Sequence, residues 1–481
     1  MNTYQKIVFV ISLFTVSVFT YADDNRSFVI NKVIQAYGGD NLVNVKNLTI
    51  EEIYKSAMIG QSETPETLNL RRVTQTSTLD FAGNSAEVRQ KIAQREIDFY
   101  FRKIYKNGLS YNINLVSNSY AEPLAANRFQ VTGYTMLLND IGLARLLVEN
   151  KANIIHHKNA KFANVYFEHL ELKLANDSNI QLYVDKRTWL IKHSFRQHRT
   201  FGQIRSDFFQ HQQSSGLTYA NETEVFYGKA LALVTLKRKI LVNQELPEDF
   251  AQTKMHHQHS PHLYSKDMIV RSIAKNTYLV GKGAVHSIFY IDGDNVYGAE
   301  SYAGVMARFN ALEEYLSKKL TLKSLVVTHH HSDHISGINE LAESDTNIIT
   351  VKEHLPVLQE SIKSTLPVSR FTLIEQSANF ANGKIQVFDI ATAHSSHNLV
   401  FYVPSEQLLF VADHYRASYL DEKIIGFTDL VNFRNAIDNL PIKIKTFASV
   451  HGINLLDYKT LIEATDNNQV FNCQKYASLC D

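Results

Sequence analysis

The sequence is poor in cysteine, in charge of one sign and in long apolar runs. Its 481 residues include two cysteines, Cys473 and Cys480, and one nearby pair cannot fill a tetrahedral structural zinc site alone. It has no low-complexity tract, and 44% hydrophobic with 20% charged residues is typical of a globular protein. No segment after residue 22 is apolar for long enough to span a membrane. We therefore expect a globular chain, and its length favours two domains.

Residues 1–22 have the pattern of an export signal. Lys6 supplies the positive start, the stretch from Ile7 to Phe19 is apolar, and Ala22 ends the segment before two aspartates. The apolar stretch has about 13 residues, whereas a membrane-spanning helix needs about 20, so a cleaved signal is favoured over a membrane anchor. We therefore expect a periplasmic or secreted protein with no integral membrane segment after signal removal.

The mature chain is predicted to be electrically balanced. Removal of the signal takes away Lys6 and leaves 48 basic and 48 acidic side chains, so the charge gives no indication of nucleic-acid binding. In an oxidising compartment Cys473 and Cys480 can close a short disulfide loop, which would hold a C-terminal tail over residues 466–481.

Residues 23–255 are predicted to form a β-rich domain. Helical spacing of apolar residues indicates a helix from Phe28 to Tyr37 that ends at Gly38 and Gly39, and a second helix from about Tyr134 to Glu149. Helices packed on one antiparallel sheet make an α+β arrangement. Alternating apolar and polar residues predict strands over Arg71–Phe81, Val165–Leu174, Ile180–Val184, Trp189–Phe195 and Leu231–Val242.

Three features of this domain resemble the half-barrel domains of periplasmic lipoprotein carriers. They are the opening helix that ends in Gly38-Gly39, the strand and turn over 183–190, and the closing segment over 242–250. The resemblance implies an antiparallel β half-barrel with helices. Such a sheet either holds an apolar ligand or forms a structural cap over the second domain.

Residues 256–262 are predicted to be the linker between the two domains. The tract from Lys254 to His262 contains four histidines around Pro261, at positions 256, 257, 259 and 262. Histidine-rich tracts can bind metal, but no acidic residue or regular element holds these imidazoles together. A solvated linker is therefore the favoured interpretation.

Residues 263–465 change to short apolar strands that alternate with helices. Strands are predicted over Asn276–Val280, Ser287–Ile291 and Leu325–Val327, with a helix near Val305–Lys318. The last of these strands runs directly into Thr328-His329-His330-His331-Ser332-Asp333-His334. Open sites in α/β folds lie just past the carboxyl ends of strands, so this cluster is a candidate site.

The cluster has the spacing of a two-metal site. His329 and His331 can turn toward one ion, and Asp333 with His334 can reach a second ion beside it. Imidazole and carboxylate without thiolate suit zinc, with iron or manganese as alternatives. His330 stands between the ligands and is expected to point away from the metals and to serve packing or the rim.

This pattern resembles the His-x-His-x-Asp-His signature of the metallo-β-lactamase superfamily, and three later motifs follow in order. These are His394 in Ala393-His394-Ser395, Asp413 after Leu409-Phe410-Val411-Ala412, and His451 in Ser449-Val450-His451-Gly452. The resemblance covers roughly residues 263–465 and implies an αββα fold. It further implies one metal on His329, His331 and His394, a second on Asp333, His334 and His451, and Asp413 as the bridge.

The resemblance also implies a reaction class. A hydroxide that bridges two metal ions would attack the substrate, and Asp333 would orient it and take its proton as the catalytic residue. Glu300, His286 and His397 are candidates to surround the ligands; His397 also competes with His394 for the third ligand position, where the motif order favours His394.

The ligand set does not define the substrate, because the superfamily holds hydrolases of many substrates. We expect a small molecule, acylated or apolar, that is cleaved at an ester, lactone, thioester or related bond. Glu300 and the Thr-His-His-His run resemble a branch of exported hydrolases with an extra N-terminal domain, from which Ser301-Tyr302 departs. The alternatives are a β-lactam hydrolase, which Asp413 disfavours, redox chemistry on iron, and a binding protein for an apolar or acylated ligand with an auxiliary metal domain.

Overall fold

The structure is a computed structural model, and it describes residues 25–93, 98–116, 118–120, 122–174, 179–198, 202–258, 267–364, 366–415, 428–466 and 473–480. The predicted signal over 1–22 lies outside these residues, and so do His259 and His262 of the predicted linker. Within the described ranges, no helix is both long enough and apolar enough to cross a membrane.

The described part of the chain contains α-helices in both halves. They are α1 (25–36), α2 (Asp40–Val43), α3 (Arg128–Leu138), α4 (Asp140–Glu149), α5 (Val305–Leu316), α6 (Ile338–Ala342), α7 (Leu355–Ser361), α8 (Thr428–Asp438) and α9 (Tyr458–Asp466).

A large sheet dominates the first half, as the alternating pattern predicts. Its strands are β1 (Asn47–Ala57), β2 (Leu70–Asp80), β3 (Ser85–Ala93), β4 (Asp98–Lys106), β5 (Leu109–Asn114), β6 (Ser119–Tyr120), β7 (Leu124–Ala125), β8 (Ile154–Phe162), β9 (Val165–Lys173), β10 (Asn179–Asp185), β11 (Ile191–His198), β12 (Gly202–Ser214), β13 (Leu217–Tyr227), β14 (Ala230–Val242) and β15 (His257–Gln258). The order is β15-β6-β5-β4-β3-β2-β1-β14-β13-β12-β11-β10-β9-β8, with β7 beside β5. All pairs are antiparallel except β15 with β6, which confirms an antiparallel sheet.

Helices pack on one face of this sheet and close its core. Val33 of α1 and Ile141 and Leu147 of α4 are buried in one cluster with sheet residues such as Leu182 and Phe208. Burial of these apolar side chains is the main force that fixes the helices to the sheet.

The prediction of one helix over 134–149 is wrong. The structure has α3 and α4 instead, because Asn139 between them is extended and its side chain turns into the interior. The Asn139 amide donates to the carbonyl of Thr135 at 2.8 Å and lies 3.3 Å from the Glu52 carboxylate. Asn127 caps the start of α3 in a capping box with Gln130, a signal that places the helix start before Tyr134.

The second half contains two mixed sheets. The first consists of β16 (Ile269–Ala274), β17 (Thr277–Lys282), β18 (Val285–Asp292), β19 (Asn295–Ala299), β20 (Thr321–Val326), β21 (Asn347–Thr350) and β22 (Phe371–Leu373), in that order. The second consists of β23 (Ser377–Phe380), β24 (Ile385–Ile390), β25 (Asn398–Val403), β26 (Leu408–Val411), β27 (Thr446–Ser449) and β28 (Gly452–Asp457), also in that order. The strand predictions agree with these bounds to within a few residues.

The second half of the chain is layered, with three buried apolar clusters between its layers. Residues of both sheets, such as Ile288 and Phe401, share one buried cluster, so the sheets pack face to face. Phe309 of α5 packs on the outer face of the first sheet, and Phe433 of α8 packs with Leu461 of α9 on the outer face of the second. The chain is therefore an α+β protein with a large antiparallel sheet followed by a domain of two mixed sheets between helices.

At His256 the structure differs from the predicted solvated linker. This side chain is buried, with its ring nitrogens 3.0 Å from Arg102 Nη1 and 2.7 Å from Asn118 Oδ1. Burial, with the charge of Arg102, lowers the pKa of His256 to about 4. Residues 257 and 258 form β15 of the large sheet. The start of the tract therefore belongs to the first half, because buried Arg102 offers it a partner that the sequence pattern does not show.

Two further segments join the halves of the chain. Cys473 and Cys480 form a disulfide, and Tyr476 and Leu479 between them pack on Ile104 of the first sheet. The loop between β1 and β2, residues 58–69, belongs to the first half and contacts the second half around Ser332.

Candidate metal centre

The candidate ligands follow the ends of strands from both sheets of the second half. The run from His329 to His334 follows β20, His394 follows β24, Asp413 follows β26, and His451 follows β27. Because these strand ends meet at one edge of the layered sheets, residues that lie far apart in sequence come together.

The seven predicted ligands form two adjoining groups. One contains His329, His331, His394 and Asp413; the other contains Asp333, His334 and His451. Within each group the ligand atoms lie within 4.8 Å of one another. The structure thus brings all seven residues together, and their individual roles as ligands stay predictions.

Asp413 lies between the two groups. Its Oδ2 is 3.0 Å from His394 Nε2, 3.1 Å from His334 Nε2 and 3.6 Å from His329 Nε2. Its Oδ1 is 2.9 Å from His451 Nε2. A carboxylate in this position can reach two ions at once, which is the geometry that a bridging ligand needs.

Three of the candidate ligand histidines contact an acceptor through the ring nitrogen that faces away from the centre. His334 Nδ1 lies 2.8 Å from Glu300 Oε2, His451 Nδ1 lies 2.8 Å from the Ala284 carbonyl oxygen, and His331 Nε2 lies 3.0 Å from the Ser62 carbonyl oxygen. Such acceptors fix the tautomer, so that the opposite nitrogen carries a lone pair toward the centre. Among the described residues, His331 Nδ1 is a buried nitrogen without a hydrogen-bond partner.

The charge states of these groups fit divalent metal ions. Burial, with the neighbouring His394, lowers the pKa of His331 to about 2, and burial lowers the pKa of His329 well below its usual value. Burial alone would raise the pKa of Asp413, but His334 and the other imidazoles around it hold that pKa well below its usual range. His329 and His331 are therefore neutral, whereas the charges of Asp413 and Glu300 outweigh burial and raise the pKa of His334 well above its usual value, so His334 has to lose its proton to bind an ion. Imidazole and carboxylate are donors that suit zinc, and the orphaned His331 nitrogen points to an ion.

Glu300 is a fully buried acid beside the ligands. Besides His334, it accepts hydrogen bonds from Thr328 Oγ1 at 3.1 Å and from the Tyr302 backbone nitrogen at 3.0 Å. Its φ of 87° is a strained conformation for a residue other than glycine. The three hydrogen bonds hold the Glu300 carboxylate in the place from which it orients His334.

The remaining predicted histidines lie outside the two ligand groups. His286 is buried, and its Nδ1 lies 3.1 Å from the Val450 carbonyl oxygen, next to His451. His397 Nδ1 lies 2.6 Å from Asp389 Oδ2, so the structure brings His394 and not His397 to the other ligands. His330 is buried and faces Ser395 at 3.3 Å, which places it in packing rather than at a rim.

Sequence reasoning missed two site residues in the loop between β1 and β2. Gln61 Nε2 donates to Asp333 Oδ1 at 2.6 Å, and Ser62 supplies the carbonyl that faces His331. These residues lie about 270 positions before their partners, with separations of 272 and 269, and no motif marks them.

A third missed residue is Asp429 in the first turn of α8. Burial raises the pKa of its carboxyl, and the charges of His394 and Asp413 act on it. An acid at a helix start is common in sequences, so this signal alone could not have identified it.

The profile of the metallo-beta-lactamase superfamily matches residues 308–419, which include six of the seven candidate ligands. The C-terminal half of the chain contains a metallo-beta-lactamase superfamily domain. The predicted metallo-beta-lactamase superfamily domain is thereby confirmed.

Curated proteins match this chain over part of their length. Beta-lactamase-like protein 2 homolog from Caenorhabditis elegans is 26% identical over 167 residues, which are 34% of this chain and 51% of the relative. Hydroxyacylglutathione hydrolase from Prochlorococcus marinus (strain NATL1A) is 28% identical over 103 residues, 20% of this chain and 38% of the relative. The same enzyme from Shewanella baltica is 25% identical over 162 residues, 32% of this chain and 58% of the relative. The chain thus spans roughly half the length of these relatives or less.

Solved structures also align with this chain. TMB-1 aligns at 20% identity with a TM-score of 0.33 and covers 42% of this chain and 96% of its own. The Flv1 flavodiiron core from Synechocystis sp. PCC6803 aligns at 14% identity with a TM-score of 0.34 and covers 42% of this chain and 60% of its own. Scores at this level carry no conclusion about activity.

Proposed function

We propose that this protein is an exported, metal-dependent hydrolase of an acylated small molecule, cleaved at an ester, lactone, thioester or related bond. The observation that carries the proposal is the pair of ligand groups around Asp413, whose imidazoles have their second nitrogens fixed by Glu300, Ala284 and Ser62. The relatives named hydroxyacylglutathione hydrolase favour an acyl substrate. Export to the periplasm or secretion rests on the pattern of residues 1–22.

The proposed cofactor is a pair of zinc ions. One ion would be held by His329, His331 and His394, and the other by Asp333, His334 and His451. Asp413 would bind both ions. When bound, two such ions lower the pKa of a shared water and polarise the oxygen of the scissile bond.

Asp333 is the proposed catalytic residue. Its side chain is 34% exposed, and Gln61 holds its Oδ1 while its Oδ2 lies 3.7 Å from His334 Nε2. A carboxylate at the open side of the centre can take the proton of the attacking water and pass it to the leaving group. In the overall reaction a bond forms from the water oxygen to the acyl carbon, the acyl–oxygen or acyl–sulfur bond breaks, and the proton leaves with the alcohol or thiol.

Tyr302 is the proposed donor to the substrate oxygen. Its ring centroid lies 5.6 Å from that of His334 and 6.2 Å from that of His451, so it forms a wall of the centre. Burial, with the nearby Asp333, raises the pKa of Tyr302 above its usual value. The hydroxyl therefore keeps its proton at neutral pH and can donate a hydrogen bond to developing negative charge.

The proposal is tested by metal analysis and a substrate panel on the purified full chain. The panel contains phenyl acetate, a γ-lactone, an acyl thioester, a phosphodiester and a β-lactam. We expect about two zinc ions per chain and turnover confined to the carboxylic ester, lactone or thioester.

A matched pair of variants makes the test specific. His394→Ala should lower both metal content and turnover, whereas His397→Ala, three positions along the same loop but paired with Asp389, should leave both within about twofold. A metal content near zero after zinc supplementation would refute the proposal, and so would equal effects of the two variants.

A further inference from the structure

A cavity of about 560 Å³ lies between the large sheet and the metal centre. Ser332 and Asp333 form part of its wall, and so do Met58, Ile59 and Gln61 of the loop between β1 and β2. Sites for small molecules typically occupy about 300–1,000 Å³, so the cavity is large enough for a ligand. The same Gln61 that lines the cavity holds Asp333, which places the proposed catalytic carboxylate at the cavity wall.

The opposite wall is one face of the sheet. Alternate residues of a strand share a face, and the lining residues of β1 to β3 occur at every second position except Ala57 at the end of β1. Helix α3 covers this face with Val131 and Thr135. The lining residues of the four strands are Tyr54, Ser56, Ala57, Arg71, Val73, Gln75, Val88, Gln90, Ile92 and Lys103.

The strand register shows that the cavity is elongated. Arg71 pairs with Ser56, next to the strand end that leads to the metal centre, whereas Lys103 pairs with Val88 and Val88 with Ser77. Arg71 and Ser77 are six positions apart on β2, which corresponds to roughly 20 Å along the strand. Lys103 therefore lies far from Asp333, at the other end of the wall.

Hydrogen-bonded polar groups lie at the middle of the cavity wall. Gln75 Nε2 donates to Thr135 Oγ1 at 3.1 Å, and behind them the Glu52 carboxylate pairs with Arg238 at 2.8 Å. All four side chains are buried. The cavity wall therefore has a buried polar patch between its two ends.

The cavity wall contains two cationic side chains, Arg71 and Lys103, and one acidic side chain, Asp333, at the metal end. Within the described residues Lys103 makes no ion pair, and its side chain is exposed where it lines the cavity. An unpaired ammonium group at the cavity wall can form a charge-assisted hydrogen bond with an anionic ligand.

We propose that this cavity is the substrate site of the metal centre, and that it takes a chain-like acyl compound with an acid group remote from the scissile bond. The inference rests on the proposed hydrolase function and names its substrate class. The scissile bond lies at Asp333, the chain lies along Val73, Val88 and Ile92, and the acid pairs with Lys103.

Binding to the full chain tests this assignment without any cleavage step. The probes are ω-hydroxydodecanoate and dodecanediol, which have the same chain and hydroxyl end and differ in the acid at the other end. We expect the acid to bind about tenfold more tightly than the diol in titration calorimetry, because a charge-assisted hydrogen bond adds to the same apolar contacts.

Three variants locate the contacts. Lys103→Gln should remove the preference for the acid, and Val88→Phe, which narrows the cavity, should weaken both probes. Lys55→Gln is the matched control, because Lys55 is exposed and stands between Tyr54 and Ser56 on the opposite face of the sheet. It should bind both probes as the unaltered chain does.

Two results would overturn the inference: equal affinity for the two probes in the unaltered chain, or a preference for the acid that survives Lys103→Gln. Acid-selective binding with no turnover of any panel substrate would instead refute the hydrolase proposal and keep the cavity as an anionic-ligand site. Turnover with unselective binding would leave the hydrolase standing and refute the substrate class.

Discussion

Replacement of Gln61 by alanine tests whether the first half of the chain contributes to catalysis. Gln61 donates a 2.6 Å hydrogen bond to Asp333 Oδ1, and this bond orients the carboxylate that we propose as proton acceptor. Hydrogen bonds to charged groups are worth about 1.5–3 kcal/mol, and the 34% exposure of Asp333 favours the lower value. Since about 1.4 kcal/mol corresponds to a factor of ten in rate, Gln61→Ala should lower kcat/KM about tenfold.

The assay is steady-state hydrolysis of the fastest substrate of the panel, with metal content measured on the same samples. Asn179→Ala is the matched control, because Asn179 makes an equivalent 2.7 Å amide-to-carboxylate bond to Glu171 within the sheet, outside the site. Gln61→Glu should lose at least as much activity as Gln61→Ala, since it sets a second carboxylate against Asp333. If Gln61→Ala keeps full activity with both metals bound, the loop has no role in orienting Asp333.

Four further outcomes are expected. Asp413→Ala should reduce the metal content from about two ions per chain to less than one, measured by elemental analysis, because this carboxylate contacts histidines of both groups; an unchanged content would show that it does not bridge. Asp333→Asn should keep most of the metal but lower kcat about 100-fold or more, and full activity would show that another group accepts the proton. Glu300→Ala should weaken metal binding about 10- to 100-fold in a chelator competition, since His334 loses its acceptor; equal affinity would contradict that role. Cys480→Ser should speed amide exchange at Leu479, because the disulfide to Cys473 fixes this tail on the sheet; unchanged exchange would mean that packing alone holds it.

The grouping of the candidate metal ligands could be predicted from the sequence because four of the seven are close together in the chain. Four donors between His329 and His334 limit the number of arrangements, and each later ligand follows a recognisable apolar strand. The alternation of the first half likewise predicts an antiparallel sheet, because one side of each strand must be buried.

Features that depend on tertiary partners could not be predicted. Helical spacing continues across Asn139, but the buried Glu52 carboxylate draws its side chain inward and breaks the helix there. His256 looks solvated in sequence and is buried only because Arg102 offers a partner. The cavity wall needs the register of four strands, which no local pattern contains.

The hydrogen bond between His331 and the Ser62 carbonyl has a consequence for how the protein matures. All seven candidate ligands belong to the second half, yet the acceptor that fixes His331 belongs to the first. The proposed centre therefore has all its contacts only when the two halves are docked, so binding of the proposed ions would depend on the assembly of both. The candidate ligands come from one half of the chain, and the groups that orient them come from both halves.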